Sequence, residues 1–461
     1  MADISFSLNG SPVTLSSIDP HRTLLAWLRE DAGLVGTKEG CNEGDCGACT
    51  VINVTRDESG PWCEAMNSCI LLMPQLHGKS LYTIEGVAGD ETLHPVQEAM
   101  IAKHGSQCGF CTPGIVMSLV AACENDEMDT DRILAGNLCR CTGYQPIINA
   151  ARAARPRGHL VPGKTLPAAV SSPDCFLPAS LDEFAGWYEE NPRATLIAGA
   201  TDVGLWVTKQ FRQLQPACFL GGLDELCEIS SSETSLAIGA MVTLNRLHAA
   251  IAPVYPSLAA MIERFGSVQV RNNATVGGNI ANGSPIGDLA PALIALGCRL
   301  RLRRGQSRRE LPLEDFFLDY GRQDRQPGEF VESLLIKTNQ PALRCYKISK
   351  RHDQDISALC GCFNVTLDGD TVRSARLAFG GMAATPKRAL ATEQALRNQL
   401  WTHAAIVAAR NALDEDFRPI SDMRASHTYR MDAARNLLEK YHLETAVPDV
   451  ATSVFAPNLL T

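Results

Sequence analysis

The sequence predicts an α+β multidomain protein, and three observations carry that reading. Ten of the 17 cysteines fall within the first 141 of 461 residues. Beyond them, short apolar runs broken by glycine pairs alternate with segments of helical periodicity. Between the two regions lies 155–172, RPRGHLVPGKTLPAAVSS, rich in Pro, Gly and basic residues and without apolar period. A chain of this length fits about three domains. Its 45% hydrophobic and 20% charged content is that of a globular protein, and no apolar run approaches the roughly 20 residues that cross a bilayer, so no membrane is expected. A net charge of −9 argues against nucleic acid as a partner. The one basic run, 299–309, reads as a solvated strand and turn. The opening MADISFSLNG has no basic region followed by an apolar one, so a cytoplasmic location is expected.

Taken in order, Ile4, Phe6 and Leu8, then Val13 and Leu15, alternate across Asn9-Gly10, a pair that favours a tight hairpin. Helical spacing of Leu24, Leu25 and Leu28 predicts a helix over 21–30, with Pro20 suited to its first turn. A loop dense in glycine and cysteine follows, and this order of hairpin, helix and cysteine loop describes a small ferredoxin-like module ending near Gly86. Four helices are predicted next, over 95–104, 112–123, 130–138 and 145–154, with Thr112-Pro113 as N-cap and first helical residue. The last unit, 343–443, has strand-like runs at 363–367 and 375–379, then a helix at 401–413.

Cys41, Cys46 and Cys49, in GCNEGDCGACT, have the C-x4-C-x2-C spacing with which plant-type ferredoxins hold a 2Fe-2S cluster. Gly40, Gly44 and Gly47 let the backbone wrap closely around such a cluster. Its fourth thiolate is Cys63 or Cys69, between which spacing does not choose. Zinc is the rival, although zinc sites favour two short knuckles. A second set, Cys108, Cys111, Cys139 and Cys141, pairs CxxC with CxC at helix boundaries, where helix dipoles favour negative charge. A redox disulfide between Cys108 and Cys111 is its rival, and would leave the other two unexplained. Cys123, in an apolar run, reads as packing, and the seven later cysteines as small buried hydrophobes. Two glycine loops, LIAGATDVG at 196–204 and NNATVGGNIANGSPIGDLAP at 272–291, match neither G-x-G-x-x-G nor Walker A. Their small residues can form an anion-binding nest for a pyrophosphate, or they are turns without a ligand.

The ordered set Cys41/Cys46/Cys49, NSC at Cys69, GSQCGFCTPG at 105–114 and GNLCRCTGY at 136–144 closely resembles the iron-sulfur region of the xanthine dehydrogenase and aldehyde oxidase family of molybdenum hydroxylases. The resemblance selects Cys69, in its NxC context ahead of TIEG at 83–86, as fourth ligand of the first cluster, and implies that Gln107 and the second cluster face a molybdopterin. Both glycine loops look like the family's FAD-binding loops. By that likeness Leu196, Ile197, Ala198, Gly199, Ala200, Thr201, Asp202 and Val203 line one side of the pyrophosphate, and Thr275, Val276, Gly277, Gly278 and Asn279 the other. Asp288 binds the ribose or adjacent polar groups, Phe265 is the aromatic near the isoalloxazine, and Lys347 is the lysine that contacts the flavin. FFLDYGRQ at 316–323 is similar to the family's FFxGYR stretch, with a changed order that leaves the role of Tyr320 open.

The implied layout is a ferredoxin-like β-grasp 2Fe-2S domain at 1–86, a four-helix 2Fe-2S domain at 87–158, a linker at 159–175, an α/β FAD-binding domain at 176–340 and a C-terminal α+β flavoprotein domain at 341–455. No residue here is expected to be catalytic. The molybdopterin domain is expected on a separate large subunit, as in bacterial two-subunit xanthine dehydrogenases, in a dimer of heterodimers, with xanthine or hypoxanthine as substrate in purine catabolism and NAD+ as electron acceptor. The alternatives are the same relay for an aldehyde, nicotinate or an aromatic acyl thioester, a flavin-free iron-sulfur electron carrier, and a zinc-binding interaction module.

Overall fold

The computed structural model describes residues 2–57, 60–89, 92–127, 129–158, 160–163, 167–447, 450 and 452. It divides into two compact units, one of Met1–Cys227, Thr243–Arg246 and Gly266–Thr275, the other of Glu228–Val242, Leu247–Phe265 and Val276–Thr461. The segment 176–340 therefore contributes to both.

The first unit opens with the hairpin Ala2–Leu8 and Ser11–Ile18, turned by Asn9 at φ 50° and Gly10 at φ 81°. It lies at one side of a five-stranded sheet, order Ser11–Ile18, Ala2–Leu8, Ser80–Tyr82, Thr50–Asp57, Gly60–Asn67. Helix Leu24–Glu30 buries Leu24, Leu25 and Leu28 as its spacing requires. Thr23, not Pro20, begins it: the Thr23 hydroxyl accepts from the Ala26 N–H at 3.2 Å, supplying a partner that proline lacks.

Four helices follow, Pro95–Ala102, Thr112–Glu124, Thr130–Leu134 and Gln145–Ala153. Thr112 does not cap its helix; Cys111 takes that position without a side-chain bond, and Thr112 and Pro113 form the first turn. The third helix stops four residues short of its apolar pattern, and beyond it Leu138 N–H donates instead to the Cys46 carbonyl at 2.9 Å. The stretch read as a linker is anchored along this unit: Leu160 is buried, Tyr82 Oη donates to the Val161 carbonyl at 3.1 Å, and Asp3 and Val170 exchange backbone hydrogen bonds. A small parallel sheet of Cys175–Phe176, Ala217–Phe219 and Thr195–Ile197 completes the elements that carry the first glycine loop.

The second unit holds a five-stranded antiparallel sheet, order Ser307–Pro312, Arg299–Arg304, Phe330–Lys337, Ser235–Gly239, Ile229–Ser231. The basic run forms the expected strand and turn but is not wholly solvated. Arg303 is 1% exposed, held by Glu332 and the Gly305 carbonyl, because a buried guanidinium must find partners. A four-stranded sheet, Arg344–Ile348, Leu359–Asp368, Thr371–Gly380 and Lys387–Arg388, packs with helices Leu390–Leu396, His403–Asp416 and His427–Ala446 around Phe363, Phe379, Trp401 and Tyr441. Trp401 sits ahead of its helix rather than in it. The architecture is α+β throughout, and among the described residues no helix is long and apolar enough to cross a membrane.

Candidate metal and cofactor sites

The loop between helix Leu24–Glu30 and strand Thr50–Asp57 gathers the first thiols. Cys41 N–H donates to Cys46 Sγ at 3.3 Å, and the N–H groups of Asp45 and Cys46 each donate to Cys41 Sγ at 3.3 Å. Thiol contacts join Cys41 to Cys46 and Cys69, and Cys49 to Cys69. Hydrogen bonds from Cys46 and then Cys69 pull the Cys41 thiol well below its ordinary range, while the same contacts push Cys46 and Cys69 above theirs, so the close thiols share protons among themselves. Cys63 lies elsewhere, in the core between sheet and helices, where burial pushes its thiol up to about 12. Geometry thus brings Cys69, not Cys63, to the other three.

Glycine is required at two points of this loop. A Cβ on Gly40 would lie 2.7 Å from Cys46 Sγ, and Gly47, at φ 71°, would drive one to 2.1 Å from the Gly136 carbonyl oxygen. The second contact reaches the loop of the other cysteine set, an approach that spacing did not reveal.

In that second set, thiol contacts pair Cys108 with Cys141 and Cys111 with Cys139. Cys139 Sγ lies 3.2 Å from Thr142 Oγ1, and Tyr144 Oη accepts from Cys139 N–H at 2.8 Å while donating to the Asn137 carbonyl at 2.9 Å. Thr142 and Tyr144 orient the loop and were not singled out in the sequence, although both stand inside its LCRCTGY stretch. Among the described residues no three His, Cys, Asp or Glu side chains gather to hold a metal ion around one point; the first four thiols run as a chain, Cys46–Cys41–Cys69–Cys49, and the second four form two pairs. A 2Fe-2S cluster takes two thiolates at each iron, and two all-sulfur sets of four thiols fit two such clusters. Cys123 is half-buried against the helical core, as packing requires.

The flavin candidates fall in both units. In the first, strand Thr195–Ile197 leads into the loop 196–203, whose Ala198 carbonyl accepts from Gln75 Nε2 at 2.9 Å. A Cβ on Gly199 would lie 1.7 Å from the Asn273 carbonyl oxygen, so only glycine allows the two segments to meet. Thr201 lies in this loop, Ala200 stands at φ 57°, and burial raises the Asp202 carboxyl. Val203 starts a short helix, and Thr275 bridges to Thr243.

In the second unit, helix Val276–Ala281 begins with Gly277 against Ala240, where a Cβ would come within 2.5 Å. Asn279 Oδ1 is buried without a hydrogen-bond partner, as an acceptor awaiting a ligand donor would be. Gly278 is exposed beside it, and Phe265 is half-buried just after helix Pro256–Glu263.

Asp288 and Lys347, expected to make separate contacts with the cofactor, meet each other in the structure. Lys347 Nζ lies 2.5 Å from Asp288 Oδ2 and 2.9 Å from Ser357 Oγ, and Ser357 donates to Asp288 Oδ1 at 2.5 Å, with the two charged side chains 2% and 7% exposed. Each charge satisfies the other because neither would tolerate burial alone. Ser357 had no sequence signal. Tyr320, in the altered stretch, is exposed beside the turn glycine Gly321 at φ 65°.

Four family models match successive stretches of the chain: a 2Fe-2S iron-sulfur cluster binding domain at 6–72, a [2Fe-2S] binding domain at 83–152, the FAD binding domain in molybdopterin dehydrogenase at 170–336, and the CO dehydrogenase flavoprotein C-terminal domain at 344–445. The xanthine dehydrogenase of Emericella nidulans is 31% identical across 98% of this chain and 40% of its own length. That of Drosophila subobscura is 33% identical across 88% and 36%, and a nicotinate hydroxylase of Emericella nidulans 29% identical across 95% and 40%. The chain therefore spans about two-fifths of the curated relatives it matches. Among solved structures, a carbon monoxide dehydrogenase chain from Hydrogenophaga pseudoflava superposes with a TM-score of 0.55 at 25% identity, covering 58% of this chain and 94% of that one. A quinoline 2-oxidoreductase chain from Pseudomonas putida 86 shares the fold, with a TM-score of 0.54 at 24% identity over 60% of this chain and 97% of its own. Two iron-sulfur domains, an FAD-binding domain and the flavoprotein C-terminal domain in this order place the chain in the molybdenum hydroxylase family, to which it belongs as an electron-transfer component.

Proposed function

We propose that this chain is the iron-sulfur and FAD subunit of an NAD-dependent xanthine dehydrogenase of purine catabolism, passing electrons from a molybdopterin-bound molybdenum on a large partner subunit to NAD+. In this reading Cys41, Cys46, Cys49 and Cys69 hold one 2Fe-2S cluster, Cys108, Cys111, Cys139 and Cys141 the other, and the loops at 196–203 and 275–279 hold FAD. The observation that carries the relay is the gathering of eight thiols into two groups of four, Cys41, Cys46, Cys49 and Cys69 in one and Cys108, Cys111, Cys139 and Cys141 in the other, on segments that touch at Gly47 and Gly136. When bound, these groups supply one-electron transfer and its conversion to two-electron chemistry. The chain itself orients them: N–H groups of Cys41, Asp45 and Cys46 aimed at sulfur tune the first site, and the dipole of helix Thr112–Glu124 favours negative charge at the second. Gln107, Cys108, Phe110, Leu138 and Cys141 are exposed together around the second loop, which supports a partner covering that face; the assembly we propose is a dimer of heterodimers.

Xanthine is favoured by the relatives; the nicotinate hydroxylase among them supports a second reading in which the same relay serves another substrate chosen by the partner's pocket. The test is anaerobic addition of xanthine to the chain purified with its large subunit, recording visible absorbance before and after NAD+. Bleaching that NAD+ reverses is expected. Bands that bleach with dithionite alone would move the substrate elsewhere, and a freshly prepared anaerobic sample without such bands would overturn the cofactor reading.

A further inference from the structure

Gln269 belongs to the stretch matched by the FAD-binding domain, yet its side chain is 1% exposed and lies among the iron-sulfur loops. Its Nε2 is 3.3 Å from Thr50 Oγ1, 3.1 Å from Ser118 Oγ and 3.0 Å from Asn137 Oδ1, residues 219, 151 and 132 positions away. Each partner borders a cysteine set. Thr50 follows Cys49, Ser118 is on the helix that begins after Cys111, and Asn137 stands two residues before Cys139.

The Gln269 amide has two N–H groups for these three acceptors, so one contact is shared, and its Oε1 is buried without a partner among the described residues. Thr50 gives its own hydroxyl proton to the Gly47 carbonyl at 2.7 Å, and so receives from Gln269; Asn137 Nδ2 donates to the same carbonyl at 3.2 Å while its oxygen receives from Gln269. Gly136 leaves the room this needs, since a Cβ there would stand 2.2 Å from Gln269 Oε1. The glutamine is also fixed from its own side. Ser267 caps the turn through Val270 N–H at 3.1 Å, Asn272 Nδ2 donates to the Ala65 carbonyl at 2.8 Å, and the Asn273 carbonyl seats against Gly199 of the flavin loop.

We infer that Gln269 is a positioning residue for electron transfer between the two clusters: a side chain from the flavin-binding stretch that clamps the Cys46–Cys49 loop to the Cys139–Cys141 loop and fixes their separation and orientation. The inference rests on the reading that the eight cysteines hold those clusters. One electron leaves one cluster as the other gains it, and Gln269 takes no part in that exchange; because tunnelling falls off exponentially with distance, holding the loops together sets its rate. An amide suits this role better than an apolar side chain, which would fill the space but leave three buried polar groups without their common partner.

The experiment compares wild type, Gln269→Met and the milder Ser118→Ala, each purified with the large subunit, reduced anaerobically with dithionite and examined by low-temperature EPR and redox titration. Both variants are expected to keep wild-type iron and flavin content and both cluster signals. The magnetic splitting between clusters should change and at least one midpoint potential should shift, more in Gln269→Met than in Ser118→Ala. Splitting and potentials equal to wild type in the variants would overturn the inference while leaving the cluster assignment intact, and where Gln269→Met does not accumulate, unchanged values in Ser118→Ala overturn it alike. Wild-type protein without two iron-sulfur signals would overturn the assignment and the inference together.

Discussion

Lys347 and Asp288 neutralise each other where neither would stand alone. Lys347→Met leaves a buried carboxylate without its counter-charge, and a loss of about 3–5 kcal/mol is expected, read as a lowered denaturation midpoint. Replacing both, as Lys347→Met with Asp288→Leu, should recover most of that loss, because a matched apolar pair carries no desolvation penalty. At the thiols, Cys69→Ser should remove one of two EPR signals and lower the iron content, whereas Cys63→Ser, altering a buried thiol remote from the other three, should retain both signals. Gly40→Ala tests the tightness of the same loop: its new Cβ, 2.7 Å from Cys46 Sγ, should cost the first cluster while sparing the second.

Among the elements, the helices that carry the sites depend on contacts at their ends. Thr23→Ala should destabilise helix Leu24–Glu30 by about 1 kcal/mol, the usual worth of such a cap, measurable as a shift in thermal midpoint without loss of iron. Helix His427–Ala446 is tied by Arg430, whose Nη2 donates to both oxygens of Asp422 at 2.8 and 2.9 Å. Hydrogen bonds from Arg430 hold the Asp422 carboxyl down to about 2. A carboxyl depressed in the folded state adds stability that is complete above its unfolded value of about 4 and lost as the pH falls toward 2. Hydrogen exchange over 420–432 should accordingly rise across that window, and Asp422→Asn should exchange faster at neutral pH with no further change there.

For the molecule as a whole, the decisive circumstance is that the chain spans about two-fifths of its curated relatives and matches the iron-sulfur and FAD-binding family models. On the proposed reading, the chain prepared without its partner should bleach with dithionite, and with NADH if NAD+ is its acceptor, yet remain oxidised in xanthine. Bleaching by xanthine in the absence of the large subunit would contradict the assignment of the molybdenum centre to that partner.

The sequence by itself determined the α+β class, the hairpin across Asn9-Gly10, the helical run between the cysteine loops, and both cysteine sets with their family. These are legible because turn chemistry, apolar period and ligand spacing act between residues close in the chain. Helix ends were less legible: Thr23 displaced Pro20 as a start, and the apolar pattern over 130–138 outran its helix because Leu138 N–H serves the Cys46 carbonyl. Only the tertiary structure decided which thiol touches which within each set, the engagement of Asp288 with Lys347 and Ser357, and the arrival of Gln269 among loops 132 to 219 positions away. The physical reason is that burial decides these matters. A charge or an amide removed from water takes whatever partner the fold brings within about 3 Å, and one-dimensional spacing carries no record of that partner.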